Sequence, residues 1–251
     1  MLLRASPLGA LLGLQRLRAP RLTRHGDLAA MASSPVHPPS TPADVLTFWF
    51  GDEWLSNRAA LSTAEYGSEA LMRRWFGASK EMDAECAQFT ALIRAAGKCE
   101  LSWPDSIDAT LARVILLDQL TRGAFRGSPE AFAYDMVAVK ETVGAVERKS
   151  HEGLQTYEQQ FLFLPLMHSE DAAHQELSVK LFGVLAEQSG IPALAYPLKI
   201  AVEHAEVVRR FGRFPHRNAA NERETTAEEA AWLAGPDVPA WARSQNARKT
   251  E

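Results

Sequence analysis

Four arginines and two histidines fall within the fifteen residues HAEVVRRFGRFPHRN, His204–Asn218. The guanidinium group of arginine forms paired hydrogen bonds with carboxylates and phosphates, so this concentration indicates an anion-recognising surface beside the end of a helix. An alternative stays open, in which the arginines pair with acidic neighbours to fix a loop, since structural ion-pair networks resemble active sites in their charges. The candidate ligand-binding residues of this stretch are Arg210, Arg213, His216, Arg217 and Asn218.

A second charged motif is LLDQLTRGAFRG, Leu116–Gly127. Asp118 and Arg122 are four residues apart, which places them on one face of a helix. On a solvated face this pair would stabilise the helix by only about 0.3–0.5 kcal/mol, but the apolar neighbours favour a position at the edge of the core. A carboxylate held between arginines orients them, because positive charge lowers its pKa. We therefore expect Asp118, Arg122 and Arg126 to contribute to ligand binding.

The densest polar cluster is FLPLMHSEDAAHQ, residues 163–175. Pro165 interrupts one predicted helix, His168 lies at the junction, and Asp171 falls in the first turn of the next helix. One interpretation is helix capping, in which the acidic residues complement the helix dipole. Another is a metal site formed by His168, by Glu170 or Asp171, and by a histidine of another helix such as His204. No defined zinc-binding spacing is present, so we assign no metal ligand.

Histidines supply the candidate catalytic groups. His204 lies on the same predicted helical face as Val208 and Phe211, so its side chain can approach the core. A buried histidine of this kind is commonly a hydrogen-bonded structural residue, and that alternative stays open. If the three motifs converge, His168, Asp171 and His204 could supply general acid–base catalysis. We predict that the following residues meet in one concave region: Arg122, Arg126, His168, Asp171, His204, Arg213 and Arg217.

Together, RFGRFPHRN, LLDQLTRGAFRG and FLFLPLMHSED resemble motifs of the bacterial family called domain of unknown function 924, in the same order. The resemblance covers about residues 42–235. It implies a tetratricopeptide-like, all-helical fold and marks the three motifs as site residues, but it implies no reaction. The chain departs from the family pattern at Leu120, Thr121, Gly123, Asn221 and Glu222.

The bulk composition is typical of a soluble globular protein, with 46% hydrophobic and 23% charged residues. The net charge is −4, and residues 1–40 carry five arginines against Asp27, so the remaining chain carries −8. An acidic domain argues against general nucleic-acid binding. The two cysteines, Cys86 and Cys99, match neither a zinc spacing nor a CxxC motif, so we expect reduced thiols.

Residues 1–40 resemble an organellar transit peptide, because they are rich in arginine and leucine and contain no acidic residue before Asp27. Their apolar runs are interrupted by Arg4 and Arg16 and are too short to span a bilayer. We expect mitochondrial import. Chloroplast import is the alternative, and a second start at Met31 would give a cytosolic form.

The N-terminal segment is expected to be dispensable for folding, since residues 1–40 contain no capped amphipathic helix. A chain that begins at Ser40 should melt at the same temperature as the full chain when unfolding is followed by circular dichroism. A much lower melting temperature of the shortened chain would contradict this organisation.

Helical periodicity predicts an all-α domain at residues 41–236, followed by a flexible tail at residues 237–251. Capping residues and glycine or proline stops divide this domain into about eight or nine helices, and the short connections imply antiparallel neighbours. No run of alternating apolar and polar residues predicts a strand. Among the predicted helix starts, Thr41 is an N-cap candidate and Ser106 introduces a helix. Thr156 forms a capping box with Gln159 and Thr226 forms one with Glu229, and Ser169 begins the helix after Pro165.

Two classes of function stay open. The first is an enzyme or binding protein whose arginines hold an anionic small molecule while a histidine transfers a proton. The second is a tetratricopeptide-like interaction module that binds a peptide and whose Arg/His motifs fix loops. Clustering of the motifs near helix ends favours the first class, because a peptide-binding scaffold spreads its contacts along a surface. The sequence identifies neither a cofactor nor an oligomeric state, and we expect neither nucleic acid nor a membrane as partner.

Overall fold

The computed structural model describes residues 38–63, 69–77, 79–236 and 238–246. These residues form α-helices, short 3-10 helices and one π-helical segment, and they contain no strand. The predicted all-α class is therefore confirmed for this part of the chain. No helix in the described residues combines the length and the apolar character that crossing a bilayer requires.

The helices follow one another with short connections. The first seven are α1 (Pro42–Phe50), α2 (Glu53–Ser56), α3 (Glu69–Phe76), α4 (Lys80–Ala87), α5 (Thr90–Gly97), α6 (Ile107–Val114) and α7 (Thr121–Ala124). The next six are α8 (Asp135–Glu147), α9 (Thr156–His168), α10 (Ala172–Ser189), α11 (Ala195–Phe211), α12 (Ala227–Ala234) and α13 (Ala240–Asn246). The 3-10 helices are Arg58–Ser62, Pro129–Phe132, Ser150–Gly153, Pro192–Leu194 and Pro215–Arg217. The π-helical segment, Ile115–Leu120, joins α6 to α7.

Side-chain caps set several helix starts at the predicted residues. The side chains of Thr41, Ser106 and Thr226 each accept a hydrogen bond from the backbone N–H three residues further on. Such a cap satisfies one of the backbone donors that the first turn leaves without a partner. The predicted starts of α1, α6 and α12 are therefore confirmed.

The caps of α9 and α10 differ from the prediction by one and two residues. The N-cap of α9 is Gln155, not Thr156, because the backbone N–H of Gln155 donates to the Glu158 carboxylate at 2.7 Å and closes the capping box. The N-cap of α10 is Asp171 and not Ser169, because the Asp171 carboxylate accepts from two backbone N–H groups of the first turn.

The central helix of the domain is α9. It contacts α6, α8, α10 and α11, and every residue from Phe161 to Met167 is buried. A helix that is apolar all round requires partners on all sides, and the four neighbours supply them. The expectation that Pro165 interrupts this helix was wrong, since α9 continues to His168. The buried helix thereby holds His168 at its C-terminal end.

Part of the predicted C-terminal tail is folded. Residues 240–246 form α13, and Val238 and Ala242 are buried. Trp241 packs with Phe214 in a small apolar cluster that also includes Val208. The sequence predicted a flexible tail at residues 237–251, and these three apolar side chains pack its first part against the domain.

Candidate functional site

A carboxylate and an imidazole join two of the three motifs. Asp118 lies in the π-helical segment, a conformation that is frequent at functional sites, and His168 ends α9. The His168 Nδ1 atom is 2.7 Å from Asp118 Oδ1. The Asp118 side chain is fully buried, whereas that of His168 is 19% exposed. Since a carboxylate only accepts hydrogen bonds, Nδ1 donates to Asp118, and Nε2 is left for another partner.

Asp118 is ionised despite its burial. Burial alone would raise the pKa of this carboxyl group, but His168, Arg122 and Gln119 together lower the pKa to about 2. Gln119 Nε2 donates to Asp118 Oδ2 at 2.5 Å, and Arg122 Nη2 lies 3.5 Å from Oδ1. Asp118 is therefore a fixed anion that orients the His168 ring and does not itself act as a base.

Two arginines share one carboxylate beside this pair. Arg122 Nη2 lies 2.7 Å from Asp135 Oδ1, and Arg217 Nη1 lies 3.1 Å from Asp135 Oδ2. Arg217 Nη1 also donates to the backbone oxygen of His168 at 2.9 Å, which links the C-terminal motif to the end of α9. The two arginines and the two aspartates, Asp118 and Asp135, therefore balance one another's charge.

Both guanidinium groups lie against aromatic rings. The Cζ atoms of Arg122 and Arg217 are 4.6 and 5.0 Å from the centroid of Phe132, and Arg217 Cζ is 4.7 Å from that of Phe214. The rings hold these cations through cation–π attraction. Burial lowers the pKa of Arg217 to about 10, and its Nε has no hydrogen-bond partner among the described residues. A buried, charged donor is thus left for a ligand or a water molecule.

Two further imidazoles adjoin this group. The His204 ring centroid is 6.0 Å from that of His168, and His204 Nδ1 donates to the backbone oxygen of Ile200 at 2.8 Å. His216 is buried, and its Nδ1 has no hydrogen-bond partner within the described chain. Burial, more than the neighbouring positive charges, lowers the pKa values of both histidines well below their ordinary value. Both rings are therefore neutral near pH 7.

Asp171, a predicted catalytic residue, caps α10. Its carboxylate accepts from two backbone N–H groups at 2.8 and 3.1 Å, and its side chain is 56% exposed. Glu170, one residue earlier, makes the link to the C-terminal motif. It accepts from Arg223 at 2.6 and 2.9 Å and from the backbone N–H of Phe214 at 2.8 Å. Asp171 therefore has the capping contact that the sequence left open as an alternative, and the spacing of two adjacent acids cannot show which one faces inward.

Arg126 and Arg210 are engaged by carboxylates. Arg126 donates through Nε and Nη2 to the two oxygens of Asp83 at 2.6 and 2.7 Å. Arg210 donates to Glu228 at 3.0 Å, and both of these side chains are more than half exposed. A bidentate pair occupies the fork that would otherwise hold an anion. The loop-fixing interpretation describes these two arginines better than the ligand-binding one.

Arg213 belongs to a network centred on Glu229. Arg213 Nε and Nη2 lie 2.6 and 2.9 Å from the two Glu229 oxygens. Glu229 Oε2 also accepts from Asn218 Nδ2 at 3.1 Å and from the backbone N–H of Thr226 at 2.8 Å, which completes the capping box of α12. The Glu229 side chain is 3% exposed. The network therefore fixes the turn after α11 to the start of α12.

Replacing Arg213 by alanine should lower the free energy of unfolding of the protein without ligand by about 1–3 kcal/mol, because the buried Glu229 carboxylate loses its main donor. Urea denaturation followed by circular dichroism measures this change. The matched control is Arg210→Ala, which removes an exposed pair and should cost about 0–1 kcal/mol. Equal stability of the Arg213 variant and wild type would contradict the structural role.

The structure brings part of the predicted set together. One connected group contains Asp118, Arg122, His168, His204 and Arg217. His216 adjoins it through Phe214, at 5.6 Å between ring centroids. The remaining predicted residues form ion pairs, hydrogen bonds or caps beside this group: Arg126, Asp171, Arg210, Arg213 and Asn218.

Three residues of the group were not predicted. Asp135 lies in the first turn of α8, where an acidic residue is ordinary, so nothing in the sequence marks it as the partner of two arginines. Phe132 precedes it in a 3-10 helix. Trp241, whose ring stacks on that of His204 at 3.7 Å between centroids, lies in the segment that the sequence predicted to be a flexible tail.

In the described part of the chain, the group around His168 coincides neither with a cluster of metal ligands nor with the surface cleft described below. Among the described residues, no three His, Cys, Asp or Glu side chains are grouped as metal ligands. A surface cleft of about 610 Å³ lies along α11 and is lined in part by Glu206, Arg210, Phe211 and Trp232. These side chains are separate from the His168 group.

Comparison with known proteins identifies the family. The chain belongs to the family described as bacterial protein of unknown function (DUF924), whose profile matches residues 45–237. It is similar to the protein of unknown function ATU0120 from Agrobacterium tumefaciens, at 31% sequence identity and a TM-score of 0.58. That alignment covers 72% of this chain and 97% of the other. No curated protein matches the chain. The three motifs all lie within the family match.

Proposed function

We propose that this member of the DUF924 family binds a small anionic molecule beside His168 and transfers a proton to or from it. His168 is the general base or acid, Asp118 orients it, and Arg122 and Arg217 attract the anion. The observation that carries the proposal is the 2.7 Å contact between a fully buried, ionised Asp118 and a partly exposed His168.

The aspartate–histidine pair suits proton transfer for a physical reason. A buried carboxylate on Nδ1 fixes the tautomer and the orientation of the ring, and it stabilises the imidazolium that forms when Nε2 takes a proton. Within the described chain no side chain hydrogen-bonds to His168 Nε2. With Nδ1 engaged and 19% of the side chain exposed, Nε2 is the atom available to a reacting group.

Charge balance defines the kind of anion. Arg122 and Arg217 already share Asp135, so the group offers directed donors, including Arg217 Nε, without a large excess of positive charge. We therefore favour a carboxylate or another singly charged anion over a polyphosphate. Arg126, Arg210 and Arg213 are left out of the proposed site, because their carboxylate partners, Asp83, Glu228 and Glu229, are not part of the group around His168.

Thermal denaturation in the presence of anions tests this proposal. Acetate, succinate, pyruvate and inorganic phosphate are added separately, and a ligand at a hundred times its dissociation constant should stabilise the protein by about 2.7 kcal/mol. Arg122→Lys should lose this stabilisation, since lysine lacks the planar fork. The matched control, Arg126→Lys, should retain it. Equal loss in both variants, or no stabilisation of the wild type by any of the four anions, would contradict the proposed site.

A second function, an interaction module of tetratricopeptide-like type, is supported by a different observation. Arg126, Arg210, Arg213 and Arg223 are all engaged by acidic side chains, as expected if the charged motifs mainly fix loops. On this reading the anions leave the melting temperature unchanged, and Arg122→Lys changes only the stability of the protein without ligand.

A further inference from the structure

Trp241 covers two of the three imidazoles of the proposed site. Its ring lies nearly parallel to that of His204, with 3.7 Å between centroids and an interplanar angle of 18°. The edges of His216 and Phe214 meet the same indole, at centroid distances of 5.3 and 5.9 Å. A large apolar ring on these faces keeps water from both histidines, in keeping with the lowered pKa values of His204 and His216.

The segment that carries Trp241, α13, is the last described helix of the chain and contacts the 3-10 helix Pro215–Arg217. Among its described side chains, Val238 and Ala242 are buried, and Trp241 Nε1 donates to Glu203 Oε2 at 3.2 Å. A helix of seven residues is too short to be stable without packing. Segments with few buried apolar contacts open locally at a much smaller free energy than the core. α13 therefore meets the physical conditions for opening while the rest of the domain stays folded.

α13 also lies outside the part of the chain that matches the family. The family match ends at residue 237, and α13 begins at Ala240. Val207, Val208 and Phe214, on which the segment packs, lie inside the match. The residue that covers His204 and His216 thus comes from beyond the matched domain.

We propose that α13 is a lid, and that Trp241 controls access of water and ligands to His204 and His216. With the lid closed, the His204 and His216 rings are shielded from water, and a ligand cannot reach the proposed site past them. With the lid open, both rings meet solvent, and a ligand can approach His168 past them. The role of the lid in ligand access rests on the proposed function. The opening of α13 does not, because it is a property of the protein without ligand.

Hydrogen exchange of the full-length protein tests the opening. The amides of Ala242 and Arg243, which donate to the Pro239 oxygen, should exchange at least about tenfold faster than those of α9 and α10, because the lid opens without global unfolding. Exchange of the α13 amides as slow as that of α9 would overturn the proposal, since α13 would then open only when the whole domain unfolds.

Carbethoxylation by diethyl pyrocarbonate, mapped by peptide mass spectrometry, tests what the lid covers. Trp241→Ala should raise the modification rates of His204 and His216 by about tenfold or more over wild type, because the indole no longer shields them. Trp241→Phe should give rates near wild type, and the control Tyr196→Ala, which removes an exposed aromatic side chain of α11, should change neither rate. Equal rates in wild type and Trp241→Ala would overturn the proposal.

These two readouts are independent of the proposed function, because neither uses a ligand. If no anion stabilises the protein but exchange and modification behave as expected, the lid stands and the proposed function fails. If anions stabilise the protein while the α13 amides exchange as slowly as those of α9 and α10, the proposed function stands and the lid is wrong.

Discussion

Replacing Arg217 by alanine should lower the free energy of unfolding by about 3–5 kcal/mol, the usual cost of removing one partner from a buried ion pair. The Arg217 and Asp135 side chains are only 7% and 12% exposed, so neither charge can be compensated by bulk water. The substitution also removes the cation that lies against Phe132 and Phe214. Urea denaturation at pH 7 measures the change.

The control for this prediction is Arg210→Ala, where both partners are more than half exposed and the expected cost is about 0–1 kcal/mol. If the Arg217 variant were as stable as the Arg210 variant, the buried network around Asp135 would not contribute to folding. The contact between Arg217 and the backbone oxygen of His168 at the end of α9 would then need another explanation.

The second large effect is a dependence of stability on pH that Asp118→Asn removes. The pKa of Asp118 is lowered from 3.8 to about 2, against the effect of burial, by His168, Arg122 and Gln119. A carboxyl group with a lowered pKa in the folded state stabilises the protein above its unfolded pKa, and this stabilisation is lost as pH falls through the folded pKa. At 1.36 kcal/mol per unit, the wild type should lose about 2 kcal/mol from this group between pH 4 and pH 2.

Urea denaturation at several values between pH 2 and pH 5 compares the two proteins. Asp118→Asn should show a smaller decrease in stability over this range, because its amide does not titrate. Glu229, whose pKa is lowered to about 2 mainly by the hydrogen bond from Arg213, contributes to the same range in both proteins and cancels in the difference. Parallel curves for wild type and variant would contradict the ionised, fixed state of Asp118.

Local chemistry made much of the fold predictable. Helical periodicity gave the all-α class, and the side chains of Thr41, Ser106 and Thr226 cap helices at the predicted places. Prediction failed where tertiary packing decides the outcome. Pro165 lies within a continuous α9, which four neighbouring helices contact. The stacking of Trp241 on His204 joins residues that are 37 positions apart in the sequence.

The candidate site was predictable in its residue types and less so in its pairing. The sequence showed that Arg122, His168, His204 and Arg217 carry suitable groups, and the structure places them in one group with Asp118. The pairing of each arginine with its acidic partner depends on residues that are far apart in the sequence. The partners of Arg126, Arg213 and Arg217 lie 43, 16 and 82 residues away, and no local pattern encodes these distances.

The nitrogen resonances of His168 test the central claim, that this imidazole is the reacting group of an anion-binding site. In protein labelled with 15N-histidine at pH 7, His168 should carry its proton on Nδ1, because Asp118 accepts it. Addition of the anion that most stabilises the protein, among acetate, succinate, pyruvate and inorganic phosphate, should shift its Nε2 resonance and leave that of His151 unchanged. Protonation on Nε2 in the protein without ligand, or an Nε2 resonance that none of the four anions moves, would contradict the claim.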